Sequence, residues 1–303
     1  FVSSIICVED CSKDGTKERL YELAKQEPRL TVIGHEHNRG VGGATISGYR
    51  QALELNADII VKLDSDGQMD PAMIAALIEP IVEGEADYTK GNRFFDLEEV
   101  RAMPVLRLIG NAGLSFLTKL STGYWTLFDP TNGFTAIHAN VAKVLPLDRL
   151  HQRYFFESDI LFRLSTLHAM IIEVPMAPLY GQERSDLSVL HTLLTFPTLH
   201  LGNFLTRILY SYFLRGFSAG SISFIIGLAL AGFGLGFGAH AWIKSYVTGV
   251  AATSGTVMVS ALPLILGVQF LLHFLNHDIS SVPQTPIHKK IKRLKALKPY
   301  SMT

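Results

Sequence analysis

The sequence contains few cysteines, and their scarcity excludes a fold held together by disulfide bonds. Cys7 and Cys11 are the only two in 303 residues, far fewer than a disulfide-based scaffold contains. His35 and His37, in the stretch GHEHN, could in principle join these thiols in a zinc site. The interpretation that needs no metal is a buried thiol on a strand and a second thiol in a loop, both reduced, and we prefer it.

The sequence also lacks net charge. Its 27 Lys and Arg side chains balance 27 Asp and Glu side chains, so no overall positive field points to a nucleic-acid partner. The balance is uneven, because residues 289–298 contain six basic residues and no acidic one. No signal peptide is visible at the start. Since the chain begins with Phe1 and soon reads as a strand, we expect that its natural N-terminus is missing.

Charged residues are rare in one long part of the chain. Within residues 216–288 the only Lys, Arg, Asp or Glu are Lys244 and Asp278. A membrane-spanning helix needs about 20 apolar residues, and residues 222–243 and 254–276 each supply such a run. They predict a transmembrane hairpin with both ends on one side of the membrane. The alternative is a pair of very apolar buried helices.

Basic residues around the hairpin indicate its orientation. Arg207 and Arg215 precede the first span and the basic tail follows the second, so the positive-inside rule places the preceding domain and the tail in the cytoplasm. Apolar residues at helical spacing beside these arginines predict an amphipathic helix in the membrane interface, or else a helix packed on the soluble domain. The predicted organisation is a domain over 1–186, interfacial helices over 187–216, two transmembrane helices over 217–279 and a basic cytoplasmic tail over 280–303.

Four glycines in the first span form two overlapping GxxxG patterns. They are Gly232, Gly234, Gly236 and Gly238. Such patterns allow close approach of two helices. They could pack the hairpin on itself or build a homo-oligomer, and the sequence does not separate the two.

Apolar strands alternate with amphipathic helices before residue 187. The predicted strands are 2–8, 30–34, 58–63, 86–90, 133–138 and 170–174, and the predicted helices are 16–26, 42–56, 71–83 and 139–145. This alternation is typical of an α/β fold with a mostly parallel, Rossmann-like sheet and helices on both faces. In such folds ligands bind at the carboxyl ends of the strands.

Two carboxylates and an amide follow a predicted strand in the sequence DSDGQ. Asp64, Asp66 and Gln68 come directly after the apolar run DIIVKL. Mg²⁺ and Mn²⁺ prefer oxygen ligands and keep positions open for substrate phosphates. A bound metal would neutralise a leaving diphosphate. Because Asp10 ends an earlier strand, a metal and diphosphate site is favoured over a turn of hydrated residues.

Two further stretches follow predicted strands. In VEDCSKDGT, Glu9 and Asp10 form an acidic pair directly after a strand, whereas a turn and a helix cap explain Asp14 and Thr16. The glycines of residues 38–53 resemble a phosphate-binding loop, but a helix entry with close packing explains them as well.

A set of motifs in one order resembles the family-2 glycosyltransferases with the GT-A fold. The motifs are VEDCSKDGT, LDSDGQ, KGNRF, DPTNGF and YFFESD, within residues 2–186. They are most similar to the polyprenyl-phosphate branch, which includes dolichyl-phosphate mannosyltransferase and its bacterial relatives. The resemblance implies transfer of one sugar from a UDP- or GDP-hexose to undecaprenyl or dolichyl phosphate, with Mg²⁺ or Mn²⁺, at the cytoplasmic membrane face. The family's first strand and its Pro-x-Tyr-Asn-Glu-like motif are absent here.

The resemblance also implies a role for individual residues. Contacts to the nucleotide sugar would come from Glu9, Asp10, Asp14 and Asp64. The metal would be held by Asp64, Asp66 and Gln68. The acceptor phosphate would be clamped by Arg93 of GNRF, Arg107 of RLIGN and Arg184 of GQERSDLS. Further site residues would be Asp129, Glu157 and Asp159.

A phosphate acceptor determines what such a site must do. A phosphate is already an anionic nucleophile near neutral pH, so it needs no strong general base. It needs positioning and charge neutralisation, and the planar guanidinium of arginine matches its oxygens. We therefore expect a direct in-line displacement with inversion at the sugar carbon. The alternative for each arginine is a surface ion pair.

Two other functions remain open. A processive polysaccharide synthase shares the D-x-D but carries a Gln-x-x-Arg-Trp motif, and neither Trp125 nor Trp242 follows an arginine. A non-catalytic membrane scaffold with a degenerate nucleotide fold would bind no nucleotide with metal. Intact Asp64, Asp66 and Arg93 argue against it.

Overall fold

The computed structural model describes residues 2–95, 105–176 and 189–291. The chain divides into two compact units, Phe1–Phe204 with Pro283–Thr303, and Leu205–Val282. Strands in the described residues are β1 (Ile5–Glu9), β2 (Leu30–Gly34), β3 (Ile59–Lys62), β4 (Tyr88–Asn92), β5 (Thr135–His138) and β6 (Ile171–Pro175). Helices are α1 (Thr16–Gln26), α2 (Gly40–Glu54), α3 (Ile74–Val82), α4 (Val105–Thr122), α5 (Ala139–Ala142), α6 (Phe156–Leu167), α7 (Val189–Leu209), α8 (Ala219–Thr248) and α9 (Ser254–Ser280).

The alternation of strands and helices confirms the predicted α/β fold. Each predicted strand is present, and β2 has its expected bounds, Leu30–Gly34. The expected helix over 71–83 begins as a 3₁₀ turn, Pro71–Met73, capped by the Asp70 side chain, and continues as α3. Helices α4 and α6 were not among the predicted helices.

The strands form two sheets, a parallel pair β1–β2 and a four-stranded sheet in the order β3–β5–β4–β6. In the larger sheet β4 and β6 run parallel, whereas β5 runs antiparallel to both β3 and β4. This sheet is therefore mixed, where the sequence predicted a mostly parallel one. Because β5 is reversed, the loop before it, residues 129–134, reaches the edge at which β3, β4 and β6 end.

One hydrophobic cluster of the first unit lies between helix α3 and one face of the larger sheet. Leu77 and Ile81 of α3 are buried with Phe134, Ala136 and Met176. Burial of a leucine, isoleucine, phenylalanine or methionine side chain stabilises a fold by about 1.5–3 kcal/mol. This packing fixes the edge of the sheet that carries the polar loops.

Residues after the second apolar helix belong to the first unit. The carboxylate of Asp87, fully buried before β4, accepts hydrogen bonds from the amides of Ile287 and His288, each at 2.8 Å. It also lies 2.8 Å from His288 Nδ1 and accepts from the amide of Met170 at 2.8 Å. The His288 ring stacks on His138, with ring centroids 4.4 Å apart. Residues 287–288, predicted as part of a separate tail over 280–303, are thus hydrogen-bonded to Asp87 within the first unit.

Helices α8 and α9 form the apolar hairpin of the second unit. Both are long and apolar enough to cross a membrane. In the most apolar 18-residue stretch of each helix, only 22% of α8 and 11% of α9 is buried. Gly234 and Gly238 pack the hairpin on itself, because a Cβ atom there would lie 2.8 Å from Ser260 O and 2.3 Å from Ser260 Oγ, respectively. Gly232 and Gly236 face open space. One GxxxG pattern therefore serves the hairpin, and the other leaves a bare surface.

The acidic residue of the second apolar helix has a cationic partner. Asp278 accepts hydrogen bonds from Arg207 at 2.6 and 3.0 Å and from the Tyr212 hydroxyl at 2.6 Å. All three side chains are buried. A buried charge in an apolar helix needs such a partner.

Candidate active site

Neighbouring strands place four polar side chains in one row across the larger sheet. In the strand register, Thr135 of β5 lies opposite both Lys62 of β3 and Lys90 of β4. Glu173 of β6 lies opposite Lys90 on its other side. Lys62 is 8% exposed and Lys90 is 0% exposed. Buried charges require charged or hydrogen-bonding partners, and the loops at this edge supply them.

Lys62 is the centre of one group of partners. Its ammonium donates to Asp64 at 2.7 Å and to the Gly133 carbonyl at 3.2 Å, and it lies 3.4 Å from Glu157. Burial alone would lower the Lys62 pKa, but the carboxylates of Glu157 and Asp64 outweigh it and raise the pKa. Lys62 was missed as a site residue, although a lysine inside the apolar run DIIVKL was a visible signal.

The DSDGQ turn presents its carboxylates at the end of β3. Asp66 Oδ1 accepts a hydrogen bond from the Gln68 amide at 3.0 Å, and Gly67 has a left-handed φ of 72°. Asp64, Asp66 and Gln68 are all partly exposed. One oxygen of each carboxylate has a protein donor, which leaves other lone pairs available. Two such carboxylates beside an amide fit Mg²⁺ or Mn²⁺, which take remaining ligands from water and substrate phosphates.

Gly133 makes room for this arrangement. A Cβ atom at this position would lie 2.1 Å from Asp64 Oδ2 and 2.7 Å from Lys62 Nζ. A side chain would therefore displace the Asp64 carboxylate. The DPTNGF and DSDGQ motifs, 69 residues apart from Asp64 to Gly133 in the sequence, meet at this point.

Arg93 and Asp129 form a two-point ion pair. The Arg93 guanidinium donates from Nε to Asp129 Oδ2 at 2.8 Å and from a terminal nitrogen to Oδ1 at 3.1 Å. The Asp129 side chain is fully buried and that of Arg93 is 32% exposed. Asp129 thus fixes the orientation of an arginine that still reaches solvent at the sheet edge.

The other predicted acidic residues are also engaged by cations. Glu157, in the first turn of α6, lies beside Lys62. Asp159 accepts from Arg163 at 3.2 Å and from the His151 amide at 2.9 Å. Their positions place Glu157 with the DSDGQ turn, whereas Asp159 holds the segment that leads into α6.

Lys90 is a second buried lysine that sequence reasoning missed. Its ammonium donates to the Asn132 carbonyl. Burial lowers its pKa to about 8, against the opposing influence of Glu157 and Asp129. Between pH 8 and 10.5 the unfolded chain keeps a proton that the folded chain has lost, so stability increases with pH in this window. Below pH 8 the buried lysine is charged, and this charge lowers the free energy of unfolding by about 3 kcal/mol.

We expect Lys90→Met to raise the melting temperature of the full chain in nanodiscs at pH 7, because it removes this cost while nearly conserving volume. The difference from wild type should shrink as pH rises from 8 towards 10. Lys62→Met is the matched comparison and should lower the melting temperature, since it leaves Asp64 and Glu157 without their shared cation. Equal melting temperatures for Lys90→Met and wild type at pH 7 would contradict this.

Asp10 binds the start of α2. It accepts hydrogen bonds from the amides of Arg39 at 2.8 Å and Gly40 at 2.7 Å, and it lies 2.7 Å from His35 Nδ1. Burial alone would raise the Asp10 pKa, but the bonds from Arg39, His35 and Gly40 hold it below its usual value. His35 Nε2 lies 2.8 Å from the Ser47 hydroxyl. His35 is thus engaged with Asp10 and Ser47 rather than directed at the thiols, and Cys7 and Cys11 are free.

Glu9 and Asp14 differ in their surroundings. Glu9 is buried and accepts from the Ser12 amide through Oε1, while its buried Oε2 has no partner among the described residues. Asp14 is exposed and accepts from the amide and hydroxyl of Thr16 at 3.2 and 2.6 Å. Asp14 therefore stabilises the turn before α1, whose N-cap is Gly15.

The glycines after Arg39 serve helix packing. A Cβ atom on Gly42 would lie 2.3 Å from the His151 carbonyl, and the Gly43 amide donates to the Gln152 carbonyl at 2.9 Å. The Gly43 amide therefore faces protein rather than a phosphate, and Gly42 allows the close approach of residue 151. The helix-entry interpretation is correct for this stretch.

Two predicted arginines cannot be placed. Arg107 lies in the first turn of α4, but its side chain is outside the described part of the structure, and Arg184 lies outside the described residues altogether. The structure brings together Asp64, Asp66, Gln68, Arg93, Asp129 and Glu157 at one edge of the sheet.

Comparisons with known proteins identify relatives of this chain. Residues 3–145 match the model of Glycosyl transferase family 2. The UDP-N-acetylglucosamine–dolichyl-phosphate N-acetylglucosaminyltransferase of Methanococcus voltae is 37% identical over 191 residues, which is 59% of this chain and 76% of the relative. The undecaprenyl-phosphate mannosyltransferase of Micrococcus luteus is 30% identical over 175 residues, 57% of this chain and 71% of the relative.

Among solved structures, glucosyl-3-phosphoglycerate synthase from Mycobacterium tuberculosis, crystallised with Mn²⁺ and UDP, is 20% identical. It has a TM-score of 0.46 and covers 68% of this chain and 69% of its own. The extent and identity of the sequence relatives confirm the predicted family. The chain belongs to glycosyltransferase family 2 and is a glycosyltransferase.

Proposed function

We propose that this protein transfers a single sugar from a nucleotide-sugar donor to a polyprenyl phosphate, with inversion at the sugar carbon. The observation that carries the proposal is the state of the carboxylates around Arg93. Asp129 is paired with Arg93 and Glu157 with Lys62. Both carboxylates are engaged by cations, so this edge suits an acceptor that is already an anion and needs no strong general base. The names of the relatives, which act on dolichyl and undecaprenyl phosphate, support the same acceptor.

On the donor side, the proposed roles follow the exposed turn after β3. Asp64, Asp66 and Gln68 would hold Mg²⁺ or Mn²⁺, which supplies positive charge for the leaving diphosphate. Lys62 and Gly133 keep the Asp64 carboxylate in place. The buried, unpartnered Oε2 of Glu9 would accept a hydrogen bond from the nucleotide.

On the acceptor side, Arg93 would bind the phosphate oxygens and align them with the sugar carbon. Its guanidinium is already oriented by Asp129, which lowers the entropy cost of binding. Arg107 and Arg184 would complete the clamp. Positioning and charge neutralisation supply the rate enhancement, since the nucleophile needs no deprotonation.

The proposal includes a location. The two apolar helices would cross the inner (plasma) membrane as a hairpin, with the sugar-transfer domain and basic tail in the cytoplasm, and the helices before the hairpin would lie in the interface. Leu201, Leu205 and Leu209 of α7 are each 56% exposed, as such a helix requires. A homo-oligomer through Gly232 and Gly236 also remains a prediction.

The test uses the full chain in nanodiscs with radiolabelled UDP-glucose, UDP-N-acetylglucosamine or GDP-mannose, Mn²⁺, and undecaprenyl or dolichyl phosphate. We expect label in the organic extract with one donor, and none when the metal is chelated. The one-bond coupling between C1 and H1 of the transferred sugar should show the inverted anomer. Label in a water-soluble polymer would replace the proposal with a processive synthase. Absence of both transfer and nucleotide binding would leave a scaffold.

A further inference from the structure

Glu173 of the edge strand β6 contacts the loop that carries Arg93 and the loop that carries Asp129. Glu173 Oε1 accepts hydrogen bonds from the amides of Phe128 and Asp129, both at 2.8 Å. Its Oε2 accepts from the Asn92 side-chain amide at 3.1 Å. One carboxylate therefore holds two segments that are separated by more than thirty residues in the sequence.

Both segments hold Arg93. Asn92 precedes Arg93, and its side-chain oxygen accepts from the Phe94 amide at 2.8 Å, so Asn92 shapes the backbone on both sides of the arginine. The Asp129 carboxylate accepts two hydrogen bonds from the Arg93 guanidinium, at 2.8 and 3.1 Å. Glu173 accepts from the side chain of Asn92, next to Arg93, and from the backbone amide of Asp129, whose carboxylate bonds the guanidinium.

We propose that Glu173 is a positioning residue for sugar transfer: its carboxylate joins the loop after β4 to the loop before β5 and thereby fixes the Arg93 guanidinium where the acceptor phosphate binds. This inference rests on the proposed function, because it takes the phosphate site at Arg93 from there.

The hydrogen bonds of the Glu173 carboxylate go to the loops rather than to Lys90 on the neighbouring strand. Glu173 sits opposite Lys90 in the β4–β6 register, yet Lys90 donates to the Asn132 carbonyl. Its carboxylate instead accepts three hydrogen bonds from polar groups of the two loops. Backbone amides that lose such an acceptor must find another, and the loops shift when they do so. A shift of about 1 Å in a substrate-orienting group is enough to lower a rate by about 100-fold.

The experiment measures transfer to undecaprenyl phosphate by the full chain in nanodiscs. We expect Glu173→Ala to raise the KM for the lipid phosphate about 10- to 100-fold, and to change the donor KM less than about twofold. Glu173→Gln keeps a carbonyl oxygen for the two backbone amides, so it should retain most of the acceptor affinity. Glu79→Ala, an exposed glutamate on α3, is the matched control and should behave as wild type.

A double-mutant cycle separates positioning from general damage. If Glu173 acts through Arg93, Glu173→Ala should have little further effect in an Arg93→Gln background, because coupled residues give non-additive effects. Retained Mn²⁺-dependent nucleotide binding will show that the variants are folded. Effects of the two substitutions that multiply would overturn the role of Glu173, as would an equal rise in both KM values.

Failure of this inference and of the proposed function give different results. Normal lipid labelling by wild type together with multiplying effects rejects Glu173 alone. Wild-type label that appears in a water-soluble polymer rejects the lipid-phosphate acceptor, and with it the assigned role of Glu173. Binding of farnesyl phosphate, measured by calorimetry, adds a readout without turnover. It should weaken in Glu173→Ala and in Arg93→Gln to a similar extent.

Discussion

Asp66→Asn is expected to lower sugar transfer roughly 1,000-fold, the cost of removing a charge contact that stabilises a developing anion. The substitution keeps an oxygen to accept the Gln68 amide, which Asp66 Oδ1 binds at 3.0 Å. The turn therefore survives and only the carboxylate charge is lost. Transfer at several Mn²⁺ concentrations should show that higher metal restores part of the rate.

Asp70→Asn is the control for Asp66. Asp70 lies in the same loop, and its side chain caps the Pro71–Met73 turn by accepting from the Ala72 amide at 2.9 Å. Asparagine is also a good cap, so the metal dependence of transfer should stay at the wild-type value. Full activity of Asp66→Asn would reject the metal site, whereas equal losses in both variants would assign the effect to the loop.

Arg93→Lys is expected to lower kcat/KM for the polyprenyl phosphate about 100-fold, while Arg93→Gln lowers it further. Lysine keeps the charge but cannot make the two-point contact that the guanidinium makes with Asp129. The loss should appear with the acceptor, and the donor KM should remain near its wild-type value. Steady-state kinetics with each substrate varied in turn will measure both.

Arg19→Lys controls for a general effect of replacing arginine. Arg19 forms an exposed pair with Glu22 on α1, and such pairs contribute about 0–1 kcal/mol to stability. It should transfer sugar at the wild-type rate. A rise in donor KM with Arg93→Lys, at unchanged acceptor KM, would move Arg93 from the acceptor side to the donor side.

Strand positions could be predicted because each buried strand is an apolar run bounded by polar loops. The stretch LTVIG became β2 with its expected bounds. Strand direction could not be predicted in this way. The reversal of β5 depends on how helix α4 and the chain after it cross the sheet, and no local pattern encodes that path.

The positions of the D-x-D turn and Arg93 at strand ends could be predicted because each follows an apolar or buried run in the sequence. Their supporting partners could not. Lys62 pairs with Glu157, which lies far along the chain, and Glu173 reaches Asp129 from another strand. Such contacts depend on strand order, so a lysine or glutamate inside an apolar run signals only that a partner exists.

The glycines gave the opposite difficulty, since one residue type serves several purposes. Gly42 packs a helix against a carbonyl, Gly133 admits a carboxylate, and Gly234 admits a neighbouring helix. In the sequence all three are glycines in glycine-rich or polar surroundings. A Cβ atom at each position would clash with a specific neighbour, and that neighbour is known only from the three-dimensional structure.

The bond from Asp87 to His288 makes the order of synthesis matter. Residues 205–282 are synthesised before Ile287 and His288, whose amides donate hydrogen bonds to the Asp87 carboxylate. The hairpin is therefore an insertion within the sugar-transfer domain rather than an appendage at its end. Until residues 287–288 are made, the Asp87 carboxylate lacks these two amide hydrogen bonds. Completion of the catalytic half thus waits for the hairpin, and a chain that stops before it lacks part of its own enzyme domain.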